Sequence, residues 1–227
     1  PETGNMGMGI FADGFHRICA AADRSEQNRA ANDPCRGMLV KGALAGGGNG
    51  DKREQSKEDL LGVKMVREAM TQDLPVILGI YENARRFMAA SGNPSQWKDG
   101  FPPESLLCED ISKRRLYVLE REGKICGAFA FIIGEDPTYR SIEEGHWMSN
   151  ERYGTIHRLA KDGTERGIFS ECLAYCEGII QHLRIDTHEK NRVMQRLIEA
   201  HGFCRCGIIH VADGSPRIAY EKTASLP

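Results

Sequence analysis

Thr155-Ile156-His157-Arg158-Leu159-Ala160, continued by Lys161-Asp162-Gly163-Thr164-Glu165-Arg166-Gly167-Ile168, is the most informative stretch of this chain. Its first six residues read as a strand. Gly163 marks a tight polar turn, and Arg166-Gly167-Ile168 opens a helix. Leu183 to Thr187 read as a second short strand. Asn191-x-x-Met194-x-x-Leu197 then reads as a second helix, closed by Gly202-Phe203. A glycine-bearing turn that feeds a helix N-terminus suits anions, because the first helical N–H groups lack partners and the dipole favours negative charge. The second strand and helix build a neighbouring wall. Together the two units suit a pyrophosphate-containing cofactor held against a sheet edge.

Outward from this centre, Leu74, Ile77, Tyr81, Ala84 and Met88 repeat at helical spacing and predict an amphipathic helix over 71–90, with Thr71 as N-cap and Pro75 in the first turn. Ser91-Gly92-Asn93-Pro94 ends it. A second helix is expected from Pro103 to about Lys113. Leu116 to Glu120 and Lys124 to Ile133 read as a hairpin around Arg121-Glu122-Gly123, and Phe203 to Val211 with Arg217 to Glu221 as another. Between them, 135–152 is a polar connection carrying aromatic residues. The order is two helices, a hairpin, β-α-β-α and a final hairpin. Helices alternate with strands only in part, which predicts an α/β (α+β) class: a mixed, mostly antiparallel twisted sheet flanked by helices.

Composition sets the outer bounds. Of 227 residues, 41% are hydrophobic and 27% charged, values of a chain that buries a core. A formal net charge of −2 gives no basic footprint for nucleic acid. No apolar run approaches ~20 residues, so no membrane span is expected. Eight cysteines are scattered along the sequence, and with no export signal they read as reduced thiols of a cytoplasmic protein. Cys204-x-Cys206, near His201 and His210, is the best metal candidate, but its spacing fits no common zinc pattern, and no metal is expected.

Residues 1–62 differ from the rest. They are rich in Gly, Ala, Asn and charge, with Gly46-Gly47-Gly48-Asn49-Gly50 as the plainest linker. Such a segment buries too little apolar surface to offset its ordering entropy, and it is expected to be a disordered extension with at most a short helix between Ile10 and Arg29. The folded domain is expected over 63–227, with Met65-Val66-Arg67 reading as a chain start.

Over roughly residues 64 to 222 the chain resembles the GNAT-type N-acetyltransferase superfamily. The family's strand–turn–helix motif ends in Arg/Gln-x-x-Gly-x-Gly/Ala. Thr164-Glu165-Arg166-Gly167-Ile168-Phe169 aligns with it, keeping the central Gly167, with Thr164 and Phe169 as departures. The second motif, Asn-x-x-Ala-x-x-Leu-Tyr-x-x-x-Gly-Phe, is kept in Asn191, Leu197, Gly202 and Phe203. Met194 stands at its small residue and Ile198 at its tyrosine. Within the superfamily the chain is similar to small bacterial acetyltransferases of unassigned substrate with like Gln96-Trp97 and Tyr153–Arg158 segments.

The resemblance implies splayed central strands, acetyl-coenzyme A as cofactor, and direct attack of an amine on the thioester in a ternary complex. Backbone amides across Asp162, Gly163, Thr164, Arg166, Gly167 and Ile168 would hold the pyrophosphate. Leu159 N–H would face the acetyl carbonyl, and Asn191 the pantetheine arm. An amine nucleophile must lose a proton, which needs a base. His157, two residues before Leu159 and so expected on the same face, is the first candidate; His188, at the end of the next strand, is the second. Glu143, Glu144 and His146 lie on a connection that borders the acceptor. Trp97, Phe101 and Trp147 would line the acceptor pocket. The acceptor is a small-molecule amine or a peptide N-terminus, and a homodimer is left open. Thr164, Phe169 and Ile198 motivate a rival reading, an acyl-coenzyme A-binding module without catalysis. A Cys/His metal or redox protein is a third.

Overall fold

The computed structural model describes residues 64–98 and 100–224. The expected extension over 1–62, with its short helix, lies outside the described residues.

Seven strands form one sheet: β1 (Lys64–Glu68), β2 (Leu116–Arg121), β3 (Lys124–Ile133), β4 (Gly154–Lys161), β5 (Leu183–Thr187), β6 (Cys204–His210) and β7 (Pro216–Lys222). Their order is β1-β2-β3-β4-β5-β7-β6. β4 and β5 pair parallel, and every other pair is antiparallel. This is the mixed, mostly antiparallel sheet that the strand runs led one to expect. The β2–β3 hairpin turns through Glu122 (φ 51°) and Gly123 (φ 74°), two positive φ angles in succession. That is the two-residue turn whose twist matches the flanking strands.

Helices α1 (Leu74–Ala90), α2 (Glu104–Ser112), α3 (Ile168–Glu177) and α4 (Arg192–Ala200) cover the sheet. α3 and α4 pack on one face, where Phe169, Leu173 and Ile198 meet Phe129, Phe131, Ile156 and Ile185. α1 and α2 pack on the other, where Ile77, Tyr81 and Leu107 meet Val118 and the small side chains of Ala128, Ala130 and Ala160. A third cluster joins Tyr139 and Tyr153 of the 134–153 connection to Ile209 and Ala219, so that this connection covers the β5–β7–β6 half. Glu143 and Ile208 exchange backbone hydrogen bonds of 2.8 Å, which caps part of the β6 edge. The approach is close: a Cβ on Gly145 would lie 1.9 Å from the Cys206 carbonyl oxygen.

Met65-Val66-Arg67 forms the middle of edge strand β1, a strand that the sequence did not announce, paired along its length with β2. One expectation is corrected. The N-cap of the first long helix is not Thr71. Residues Thr71–Asp73 form a 3-10 turn, and α1 begins at Leu74. Asp73 governs the start: its carboxylate accepts from Met70 N–H at 2.8 Å and from Arg67 Nη1 at 2.6 Å. Burial pushes the Asp73 carboxyl upward, but these donors hold it below its ordinary range.

The sheet opens at its centre. β4 and β5 are in register only from Gly154↔Leu183 to Ile156↔Ile185. Beyond that point β4 stays with β3, while β5 stays with β7 through Thr187. The parting coincides with a bulge: His157 faces Ala130 and Ala160 faces Ala128, so Arg158 and Leu159 together oppose Phe129.

Candidate active site

The turn between β4 and α3 is built by local hydrogen bonds. Asp162 N–H donates to Cys126 O at 3.0 Å. The Asp162 carboxylate accepts from Thr164 N–H at 2.9 Å and from the Thr164 hydroxyl. Thr164 therefore shapes the turn, a role for which the basic or amide residue of the motif is not needed. Arg121 of β2 buttresses the loop from below, bonded to Glu165, Glu171 and, at 2.7 Å, to Arg166 O. Gly167 caps α3 in the left-handed conformation, φ 78°. Among the described residues, the amides from Glu165 to Ser170 donate to no protein acceptor; the first helical bond is Glu171 N–H to Gly167 O at 3.1 Å.

Phe169 does not enter this corner. Its ring is buried in the α3–α4 core and meets His201 edge-on, with centroids 4.9 Å apart. A run of unpaired amides, a helix N-terminus and a left-handed glycine fit the pyrophosphate expected from the sequence. Gly167→Val should therefore raise the dissociation constant for coenzyme A at least about tenfold, since a β-branched residue is strained at this φ. The space around Gly167 is open, with Glu171 Oε1 and Arg121 Nη2 as nearest atoms at 3.8 and 3.9 Å, so backbone strain and not collision is the cause. Calorimetric titration reads this directly, and an unchanged constant would contradict the assignment of the loop.

The bulge changes the faces of β4. Leu159 packs with the α3–α4 core, whereas His157 lies opposite Ala130 of the α1–α2 cluster. The expectation that His157 and Leu159 share a face is thus corrected, because the extra residue, Arg158 at φ 52°, resets the alternation. Leu159 has no ladder partner on either neighbouring strand, and its backbone sits where β4 and β5 part.

His157 is joined by residues that the sequence did not single out. Its Nε2 lies 2.9 Å from Asp136 Oδ2, and its Nδ1 lies 4.0 Å from Asp186 Oδ1 on β5. The Tyr139 hydroxyl donates to Asp186 at 2.7 Å, and Arg217 Nε lies 4.0 Å from the other Asp186 oxygen. Burial alone would raise the Asp136 carboxyl, but His157 and Thr138 hold it well below the usual carboxylate range. An ionised Asp136 only accepts, so His157 Nε2 carries the hydrogen, and a neutral ring keeps its lone pair on Nδ1.

A depressed folded pKa contributes stability that is full above the unfolded carboxylate value of about 3.9 and is lost as pH falls through the folded value. Asp136→Asn should therefore lower the melting temperature at pH 7, with the gap to the parent closing only below about pH 4. A gap that is the same at both pH values would count against the pairing.

His188 is placed differently. Its Nδ1 accepts from Lys190 N–H at 3.1 Å, so in the neutral ring Nε2 is a donor and no lone pair is free. Burial, with the nearby Arg217 charge, lowers its pKa. An open groove of about 470 Å³ is lined among others by Glu143, Glu144, Arg192, Arg205 and Glu189, the chain neighbour of His188; His157 does not line it. Asn191 is the N-cap of α4: its Oδ1 accepts from Met194 N–H at 3.1 Å, and its Nδ2 donates to Gln96 Oε1 at 3.0 Å. Gln96 also accepts from Asn93 at 2.7 Å, and its carbonyl from Arg217 at 3.3 Å, which ties the α1–α2 loop to the cleft.

The three aromatic candidates do not form one wall. Trp97 and Phe101 lie together, centroids 6.5 Å apart, beside Tyr81. Trp147 instead stacks on Tyr139 at 5.5 Å and covers the Arg184 guanidinium at 3.9 Å. Ile198, at the family tyrosine's position, is fully buried. No three His, Cys, Asp or Glu side chains group as a metal site among the described residues. None of the described helices is long and apolar enough to cross a membrane.

No protein-family model matches the chain. Among solved structures, a GNAT-family acetyltransferase from Streptococcus agalactiae 2603 is 32% identical, with a TM-score of 0.62 over 72% of this chain and 96% of that one. A GNAT-family acetyltransferase from Listeria monocytogenes 4b F2365 shares the fold at 19% identity, with a TM-score of 0.55 over 70% of this chain and 94% of that one. In sequence, the peptidyl-lysine N-acetyltransferase YiaC of Escherichia coli K12 is 24% identical over 165 residues, which are 72% of this chain and 92% of that protein.

Proposed function

This chain belongs to the GNAT family of acetyltransferases, and we propose that it moves an acetyl group from acetyl-coenzyme A to a primary amine by direct attack in a ternary complex. The single observation that supports this most is the combination of a gap between β4 and β5 beside Leu159 with the run of unpaired amides that follows β4 at the start of α3. When bound, acetyl-coenzyme A supplies an acetyl group activated as a thioester. The free amides from Glu165 to Ser170 bind the pyrophosphate, and Gly167 lets the chain present them. Leu159 N–H meets the acetyl oxygen, where a donor of this kind is worth ~3 kcal/mol as negative charge develops. His157 takes a proton from the acceptor ammonium at Nδ1, while Asp136 keeps Nε2–H in place. Asp186 lies on the far side of the gap and favours a cationic acceptor. No side-chain acid is assigned to the departing sulfur, since Ile198, at the family tyrosine's position, has no ionisable group; solvent supplies that proton.

Asn191 acts through α4 and Gln96 in this reading, and Trp97 with Phe101 borders the acceptor. The acceptor is a small amine, a peptide N-terminus or, as the name of the Escherichia coli relative suggests, a lysine side chain. Thiol release from acetyl-coenzyme A with a panel of these three acceptor types tests the proposal. Turnover with at least one supports it. Coenzyme A binding with no turnover on any of them would favour a binding module instead.

A further inference from the structure

Four described residues other than glycine have positive φ, and three of them, Arg114, Glu122 and Glu144, lie in turns or connections. Arg158 alone lies inside a strand, at the bulge of β4. A bulge with a left-handed first residue ordinarily takes glycine there, because a side chain disfavours the conformation. Something must hold Arg158 in it. Its guanidinium is ion-paired with Asp110 of α2, a carboxylate only 3% exposed. Tyr81 of α1 is buried beside them, close enough for both charges to act on its hydroxyl. The pair is not well satisfied: Arg158 Nε and the Tyr81 hydroxyl have no hydrogen-bond partner among the described residues. A buried ion pair of this kind is a poor device for stability alone. It is a good device for drawing one side chain to a fixed place.

We propose that the Asp110–Arg158 pair is the clasp that holds the β4 bulge, and that Asp110 is thereby a positioning residue for acetyl transfer. With the clasp closed, His157 and Arg158 both turn to the α1–α2 side. Leu159 is left without a ladder partner, its backbone where β4 and β5 part. The catalytic consequence rests on the role proposed above for Leu159 N–H; the conformational one does not.

The test uses the full chain in four forms: the parent, Asp110→Asn, and Asp110→Asn combined with Arg158→Gly or with Arg158→Val. Two readouts are taken: the amide resonances of Leu159 and Ala160 without ligand, and kcat with the KM for acetyl-coenzyme A. Asp110→Asn should shift both resonances and lower kcat about tenfold, with KM within about twofold of the parent. Glycine adopts the left-handed conformation unaided, so the Gly double variant should return the resonances to the parent positions and kcat to within about threefold. The Val double variant should do neither, although it removes the same charges. Should it not fold, Arg158→Ala on the Asp110→Asn background takes its place, with a smaller penalty of the same sign. Equal behaviour of the Gly and the β-substituted doubles, or unmoved resonances in Asp110→Asn, would overturn the clasp. A parent without turnover would sink the transfer reading instead, and the ligand-free resonances would still decide the clasp.

Discussion

His157→Gln should lower kcat by about two to three orders of magnitude and leave the dissociation constant for coenzyme A within about twofold. The ionised Asp136 carboxylate fixes the imidazole hydrogen on Nε2, and Nδ1 is turned towards Asp186 across the open strands. A protonated amine cannot attack, so loss of the lone pair at that place removes the step that frees the nucleophile. Glutamine keeps the hydrogen-bonding bulk, and the coenzyme corner lies on residues that His157 does not touch. The pH profile of kcat should also change shape, since the only base assigned to the step is gone. Full turnover with the parent profile, read by steady-state thiol release, would show that another group or water does this work.

Glu221→Ala should lower the free energy of unfolding by about 3–5 kcal/mol, the cost of leaving a buried charge without its partner. Glu221 is fully buried. One of its oxygens accepts from His182 at 2.6 Å and from Arg184 Nε at 2.9 Å, and the other from Met148 N–H. The Arg184 guanidinium is held between Trp147 and Tyr153, 3.9 Å from each ring centroid, and donates to Ser149 O at 2.7 Å. One carboxylate thus ties β5, β7 and the 134–153 connection together. Its removal strands Arg184 and frees the connection that carries Tyr139. Urea unfolding of the two proteins measures the difference, and a change below about 1 kcal/mol would mean that the network is not what anchors the connection.

How much of this was legible in the sequence follows from the range of each interaction. The β2–β3 hairpin, α1 and the β4–turn–α3 unit are written in periodicity and in Gly123, Gly163 and Gly167, signals that act within a few residues. The two GNAT-like motifs were legible for the same reason. β1 was not, because five residues at an edge carry too little alternation to stand out from a polar flank. The bulge was not either: a strand containing Arg158 promises unbroken alternation, and only Asp110, 48 residues away, explains the departure. Asp136 and Asp186 escaped notice because they meet His157 from 21 and 29 residues away, Asp186 from β5 and Asp136 from the connection that Glu221 and Arg184 anchor. That Trp147 covers Arg184 was hidden for the same reason, since nothing near it in sequence points to that partner.

Amide chemical-shift mapping during a coenzyme A titration tests most directly where the coenzyme lies. The prediction is that the backbone resonances from Thr164 to Ser170 move together and saturate, and that Leu159 moves further with acetyl-coenzyme A than with the free thiol. Saturable shifts confined to another surface, such as the groove beside His188, or no shifts at all, would contradict it.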